Sequence, residues 1–353
     1  MKKLTAMLCA VTLSFALLTG CGQAATEDTK KSETPQATQE AETPEETPIE
    51  EESTTVNVMA LKGPTAMGMV SFMDKAEAGE ITDNEYSFSI AASADEVTPK
   101  LVQGEVDIAA VPANLASVLY NNTEGEIEVL AINTLGVLYI VENGESISSV
   151  EDLRGKTIYA SGKGATPEYA INYILKENGI NPETDVTIEW KSEHTECLTA
   201  LLAEENGIAL LPQPFVTTAQ TKSDTIRVAL DLTKEWDKLQ ENAENPSALL
   251  TGVLVVRKEF AKAHPAAVSK FLDHYKESVD YVNANVEEAA ALIEHFDIVA
   301  AAVAQKAIPA CNITFIEGSE MKEKLSGYLS VLLEQNESSI GGKLPEDDFY
   351  YAR

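Results

Sequence analysis

Four short stretches carry residue types at spacings suited to holding a small molecule: Lys62-Gly63-Pro64-Thr65-Ala66-Met67-Gly68, Ser93-Ala94-Asp95-Glu96, Pro112-Ala113-Asn114 and Ser161-Gly162-Lys163-Gly164-Ala165-Thr166. Each follows an apolar run that reads as a strand and opens a run that reads as a helix. At such a junction the first-turn N–H groups lack intrahelical partners and are free for a carboxylate, sulfonate or phosphate. Gly63 permits close backbone approach and Pro64 presets φ for a first helical turn. Lys62 and Lys163 would add charge, and the Thr65, Ser161 and Thr166 hydroxyls and the Asn114 amide would add directed hydrogen bonds. Gln213 and Phe215, in Leu211-Pro212-Gln213-Pro214-Phe215, occupy a fifth such position. Met59, Met67 and Met69 would favour a flat or apolar ring if they faced the same space. Plainer roles compete at every position: Ser93 or Asp95 as a helix cap, Lys62 as a solvated charge, Gly162 and Gly164 as a tight connection.

The patterns of catalysis are missing from the sequence. There is no serine elbow and no paired Cys and His. His194, His264, His274 and His295 are scattered without metal-ligand spacing and read as surface or capping residues, and Trp190 reads as core. The Ser161–Thr166 loop lacks the Gly-Lys-Ser/Thr ending of a nucleotide-binding loop. No CxxC occurs; Cys197 and Cys311 are expected as buried free thiols in different halves of the fold. Neither a metal nor a cofactor is expected.

The chain opens on an export pattern: Lys2 and Lys3, then an apolar stretch from Leu4 to Leu18, too short for a permanent span. Leu18-Thr19-Gly20-Cys21 ends it and resembles the bacterial lipobox, which makes Cys21 the expected lipid site. Residues 22–54 hold ten acidic residues against Lys30 and Lys31, with recurrent Thr, Pro and Gln. A segment so poor in apolar groups cannot offset its ordering entropy, so it reads as a disordered acidic tether. The formal charge of −31 over 353 residues excludes nucleic acid and anionic membrane surfaces as partners, though not a small anion in a local pocket.

Beyond residue 54, strands and amphipathic helices alternate, the pattern of an α/β protein too large for one core. Strands are predicted at Val56–Leu61, which leads into one helix from Pro64 to about Ala78, around Tyr86–Ile90, at Asp107–Val111 and Ile127–Ile132. A crossing strand follows at Val137–Val141. A second unit has strands at Thr157–Ala160, Val186–Trp190, Ile208–Leu211 and Ile226–Leu230. Gly252–Val256 crosses back, and helices fill the tail: 264–283, 286–295, 300–307 and 319–335. With too few strands for a domain of their own, these helices are expected to pack on the first lobe.

Several motifs in this order resemble one family. Gln103-Gly104-Glu105-Val106-Asp107-Ile108-Ala109 is similar to its "L..GevDia" run. Val150-Glu151-Asp152-Leu153-Arg154-Gly155-Lys156-Thr157-Ile158 is similar to the "s..DLkGKki" segment that starts its second lobe. Val253–Arg257, Phe260 and His264-Pro265 resemble its return strand and following helix. The chain thereby resembles the ABC-importer solute-binding proteins of the nitrate, sulfonate, bicarbonate and thiamine-pyrimidine group. The resemblance implies a two-lobe type 2 periplasmic-binding fold, with lobe 1 over 55–136 and 251–353, lobe 2 over 137–250, and a hinge of two crossing segments. It further implies a monomeric, extracytoplasmic protein, anchored through Cys21, that captures a small polar or anionic metabolite between its lobes for an importer permease. A ligand-sensing lipoprotein would share the same residues. A thiamine-pyrimidine-synthase-like enzyme would need a cysteine-rich iron motif that has no counterpart here.

Overall fold

The computed structural model describes residues 53–241, 243 and 246–353. The export leader, Cys21 and nearly all of the acidic tether lie outside them. The described residues belong to one compact unit, Glu51–Arg353, built on two sheets. In the first sheet, β1 (Thr55–Leu61), β2 (Glu85–Ala91), β3 (Ile108–Pro112) and β4 (Ile127–Leu135) are joined by β10 (Leu250–Arg257) and β11 (Ile313–Ile316) in the order β11-β4-β10-β3-β1-β2. In the second, β5 (Leu138–Asn143), β6 (Thr157–Ser161), β7 (Thr187–Lys191), β8 (Ile208–Pro212) and β9 (Ile226–Asp231) run β7-β6-β8-β5-β9.

The two sheets share a plan. β1 is parallel to β2 and β3, and β6 is parallel to β7 and β8. In each sheet the strand that comes from the other lobe, β10 or β5, runs antiparallel to both its neighbours. Sequence patterning follows position. β3 is a continuous apolar run because Ile108, Ala109, Ala110 and Val111 are all fully buried at the sheet centre. β2 alternates exposed Ser87 and Ser89 with half-buried Tyr86, Phe88 and Ile90 because it is an edge strand with one solvated face.

Glycines mark both crossings. A Cβ on Gly136, just before β5, would collide with Thr233 Oγ1 and sit 2.9 Å from the Leu249 side chain. A Cβ on Gly252, in β10, would meet Asn133 Oδ1 and Thr65 Cγ2 at 2.5 Å each. Neither crossing has room for a side chain there, which holds the two chain passages tightly together.

Two expectations are corrected. The single helix predicted from Pro64 to about Ala78 is two, α1 (Pro64–Met67) and α2 (Val70–Glu77). They part at Gly68, where a Cβ would stand 2.9 Å from the Tyr275 hydroxyl of α10 (Pro265–Ala284). The tail helices pack on the first lobe, but not on it alone. α10 and α11 (Val286–His295) lie on α2, whereas α12 (Ala301–Ala307) reaches α7 (Phe215–Lys222) of the second lobe. α13 (Gly318–Gln335) buries Met321, Leu325, Tyr328, Leu329 and Leu332 in one core with Ile171, Leu175 and Trp236 of the second lobe. After β9 the chain is helical from Leu232 to Gln240 (α8), capped by Asp231, whose carboxylate accepts from Thr233 N and Lys234 N.

A cleft between the lobes

The connections that leave the strand ends open helices whose first turns meet between the sheets. From lobe 1 come Ala94, at the start of α3 (Ala94–Gln103), and Pro112, Asn114 and Leu115, at the start of α4 (Ala113–Asn122). From lobe 2 come Ala165, Thr166 and Pro167, opening α5 (Thr166–Glu177), with His194, opening α6 (His194–Ala203), and Pro212 at the end of β8. Val137, Leu138 and Thr251 of the crossings close the back. Together they enclose about 360 Å³, within the ~300–1,000 Å³ usual for small-molecule sites. A larger groove of about 480 Å³ lies on the flank of lobe 2 and is lined by that lobe alone, so it cannot couple a solute to lobe closure.

Of the stretches singled out in the sequence, Ala94, Pro112, Asn114, Ala165, Thr166 and Pro212 line the cleft. Asn114 is held from behind by the C-terminal segment, its Nδ2 donating to Ser339 O at 3.2 Å. Ser161 stands one layer back: its hydroxyl is 2.5 Å from His194 Nδ1. Gln213 is buried and structural, its Oε1 accepting from Thr217 N (3.3 Å) and Thr217 Oγ1 (2.9 Å) and so capping α7. Phe215 backs His194, with ring centroids 4.9 Å apart.

The remaining candidates do not line the cleft. Lys62 is exposed and lies 3.7 Å from Asp297. Gly63 precedes and Pro64 opens a helix of only four residues, too short to present a strong dipole, and Thr65 donates its hydroxyl to Leu61 O at 2.8 Å. Met67 is fully buried against Cys311, as Met59 and Met69 are in their own core contacts. Ser93 and Asp95 are exposed at the rim. Gly162 and Gly164 turn the loop with φ of 82° and 79°, which aims Lys163 at the flank groove beside Trp190.

His194 is the cleft residue that sequence reasoning set aside as surface or capping. The signal was available: it sits between a strand and a helix, the same position as the other four loops. Burial pushes its imidazole below the ordinary value of 6.5, so it is neutral near pH 7. Leu138 and Thr251 gave no such signal, because nothing local distinguishes a hinge strand that faces a cavity from one that faces a core.

The helix starts around the cleft carry their own acids. Asp95 and Glu96 lie in the first turn of α3. Glu168 Oε2 accepts from Gly164 N at 2.6 Å ahead of α5, and Glu196 Oε2 from Ser192 N at 2.9 Å ahead of α6. Only α4 of the four has no acid in its first turn.

This geometry, two sheets of one plan with a cavity shared by both lobes and the hinge, is suited to closing on a small solute. Residues 79–307 match the family described as the periplasmic substrate-binding protein of phosphonate ABC transporters. The chain belongs to that family. Members are binding components rather than enzymes, and they partner a small-molecule ligand and an ABC permease. The fold is similar to that of an ABC transporter protein from Parabacteroides distasonis, at 22% identity and a TM-score of 0.70, covering 85% of this chain and 100% of that one. It is also similar to the periplasmic aliphatic sulphonate binding protein SsuA from Escherichia coli (14% identity, TM-score 0.65, 81% and 94% covered). A third similar structure is the alkanesulfonate-binding protein SsuA from Xanthomonas axonopodis pv. citri bound to MOPS (12% identity, TM-score 0.59, 82% and 94% covered). No curated protein matches the chain. Among the described residues, no helix is long and apolar enough to cross a membrane.

Proposed function

We propose that this family member is a lipoprotein, held at the outer face of the cell membrane through Cys21 and an acidic tether, that captures a small metabolite between its lobes and delivers it to its importer. The observation that carries the reading is the shared cavity, lined by first turns from both lobes and by both crossing strands. A solute touching both halves stabilises the closed arrangement by its extra contacts there, and a permease can distinguish closed from open. The expectation of a polar or anionic solute drew on Lys62, Lys163 and the helix starts, of which only the helix starts border the cavity.

The test is made on membranes of the producing cell. Cys21→Ser should release the protein into the soluble fraction. Cross-linking with and without a metabolite extract should recover peptides of an ABC permease from the anchored form in a solute-dependent way. Recovery of a signalling receptor in place of a permease would favour the sensor reading, and solute-independent recovery of neither would overturn both.

A further inference from the structure

The cleft differs in chemistry from what the family's named substrate requires. Among the described residues, no lysine, arginine, aspartate or glutamate lines it. A phosphonate, a sulfonate or an ammonium entering such a space loses its water and meets no counter-charge, which is heavily unfavourable. Helix N-termini could substitute for a cation, but three of the four starts at this cleft already hold carboxylates. Glu168 and Glu196 are hydrogen-bonded to the backbone just ahead of their helices, and Asp95 and Glu96 sit in the first turn of α3. The two lysines that could have reversed this balance point elsewhere, Lys62 toward Asp297 and Lys163 into the flank groove.

What the cleft does offer is neutral and two-sided in hydrogen bonding. One Asn114 Nδ2–H goes to Ser339 O, which leaves the second N–H as a donor and Oδ1 as an acceptor. His194 Nδ1 is engaged by Ser161 Oγ, which leaves Nε2 for a solute, and burial keeps the ring uncharged. Thr251 contributes to the wall while its hydroxyl oxygen, sealed from solvent, has no partner in the protein. A buried hydroxyl without a partner is costly, and rotation about its single side-chain torsion would bring it to a bound molecule. Leu115, Leu138 and Pro212 supply the apolar remainder.

We infer that the cleft selects an uncharged solute, with an apolar body packed on Leu115, Leu138 and Pro212 and a polar edge met by Asn114, His194 and Thr251. The inference rests on the cleft being the capture site. It sets this chain apart from the phosphonate that gives its family its description and from the sulfonates named for similar structures.

The test uses the full chain in detergent, freed of co-purified solute by unfolding in guanidinium and refolding. A metabolite extract is divided by ion exchange into neutral, anion-retained and cation-retained fractions, and each is titrated against thermal unfolding. The neutral fraction should raise Tm in a dose-dependent way, and Ala165→Trp, which fills the cleft, should abolish the rise. Leu115→Trp serves the same purpose if Ala165→Trp does not fold. A rise with a charged fraction in place of the neutral one overturns the inference while leaving the cleft as the capture site. A neutral-fraction rise that survives both cleft-filling variants also overturns it, because the solute then binds elsewhere. No rise with any fraction overturns this inference and the capture reading together.

Discussion

The Tyr328 hydroxyl in the middle of α13 donates to Thr166 Oγ1 in the first turn of α5, 3.2 Å away, with both side chains buried. The bond ties the last long helix of the chain to the helix that opens the lobe 2 side of the cleft. About two turns further along α13, Gln335 Nε2 donates to Tyr169 O at 3.1 Å, so α13 grips α5 at two points. The same C-terminal region holds Asn114 through Ser339 O, and thus touches both walls of the cavity.

Tyr328→Phe should therefore act on lobe opening more than on stability. Losing one neutral hydrogen bond is expected to cost ~1 kcal/mol, read as a small drop in urea midpoint. Small-angle scattering should show a larger radius of gyration in solute-free protein. An unchanged radius would mean that apolar packing alone sets the arrangement of α13.

Trp236 fills the junction between α8, α5 and α13. It is fully buried, its ring centroid lies 4.3 Å from that of Tyr173, and Nε1 donates to Ser247 Oγ at 2.9 Å. Trp236→Ala should cost about 3–5 kcal/mol through the cavity left behind, checked by denaturant unfolding. Trp236→Phe should cost less, though Ser247 Oγ would keep only Gln240 as a partner.

Glu142 should make the protein acid-sensitive. Burial alone would raise its carboxyl, but hydrogen bonds from Ser146 and Ile147 and the Arg227 guanidinium at 2.7 Å outweigh that and hold it below its ordinary value of 4.5. A carboxylate depressed on folding contributes its stability in full above 4.5. It loses that contribution as pH falls through the lower, folded value. Glu142→Gln should accordingly lower Tm at pH 7 and narrow its gap from the wild type as pH drops below 4.5. A gap that stays constant with pH would assign the loss to packing.

Cys197 and Cys311 should resist thiol reagents in the native state. Both are fully buried and free, and burial pushes the Cys311 thiol up to about 12. The lipidated protein should yield no reactive thiol when folded and two per chain in guanidinium. Rapid modification of folded protein would show that the cores around these residues open readily.

The sequence by itself determined the alternation of strands and helices, because the period of apolar residues is a local property. Tyr86, Phe88 and Ile90 against Ser87 and Ser89 dictate a half-exposed strand, and Ile108–Val111 an apolar one, whatever surrounds them. It also determined where helices begin after strands, and Asn114, Ala165 and Thr166 were legible as cleft residues for that reason. Tertiary structure alone decided which of these starts share a cavity. Lys62 and Lys163 look alike as cations beside glycines, yet one turns to Asp297 and the other onto the flank of lobe 2. Leu138 and Thr251 reach the cleft because the two crossings are pressed together at Gly136 and Gly252, a contact between segments more than a hundred residues apart. The packing of α13 against both lobes is of the same kind: its apolar stripe was plain in the sequence, but a stripe specifies burial and not the partner that provides it.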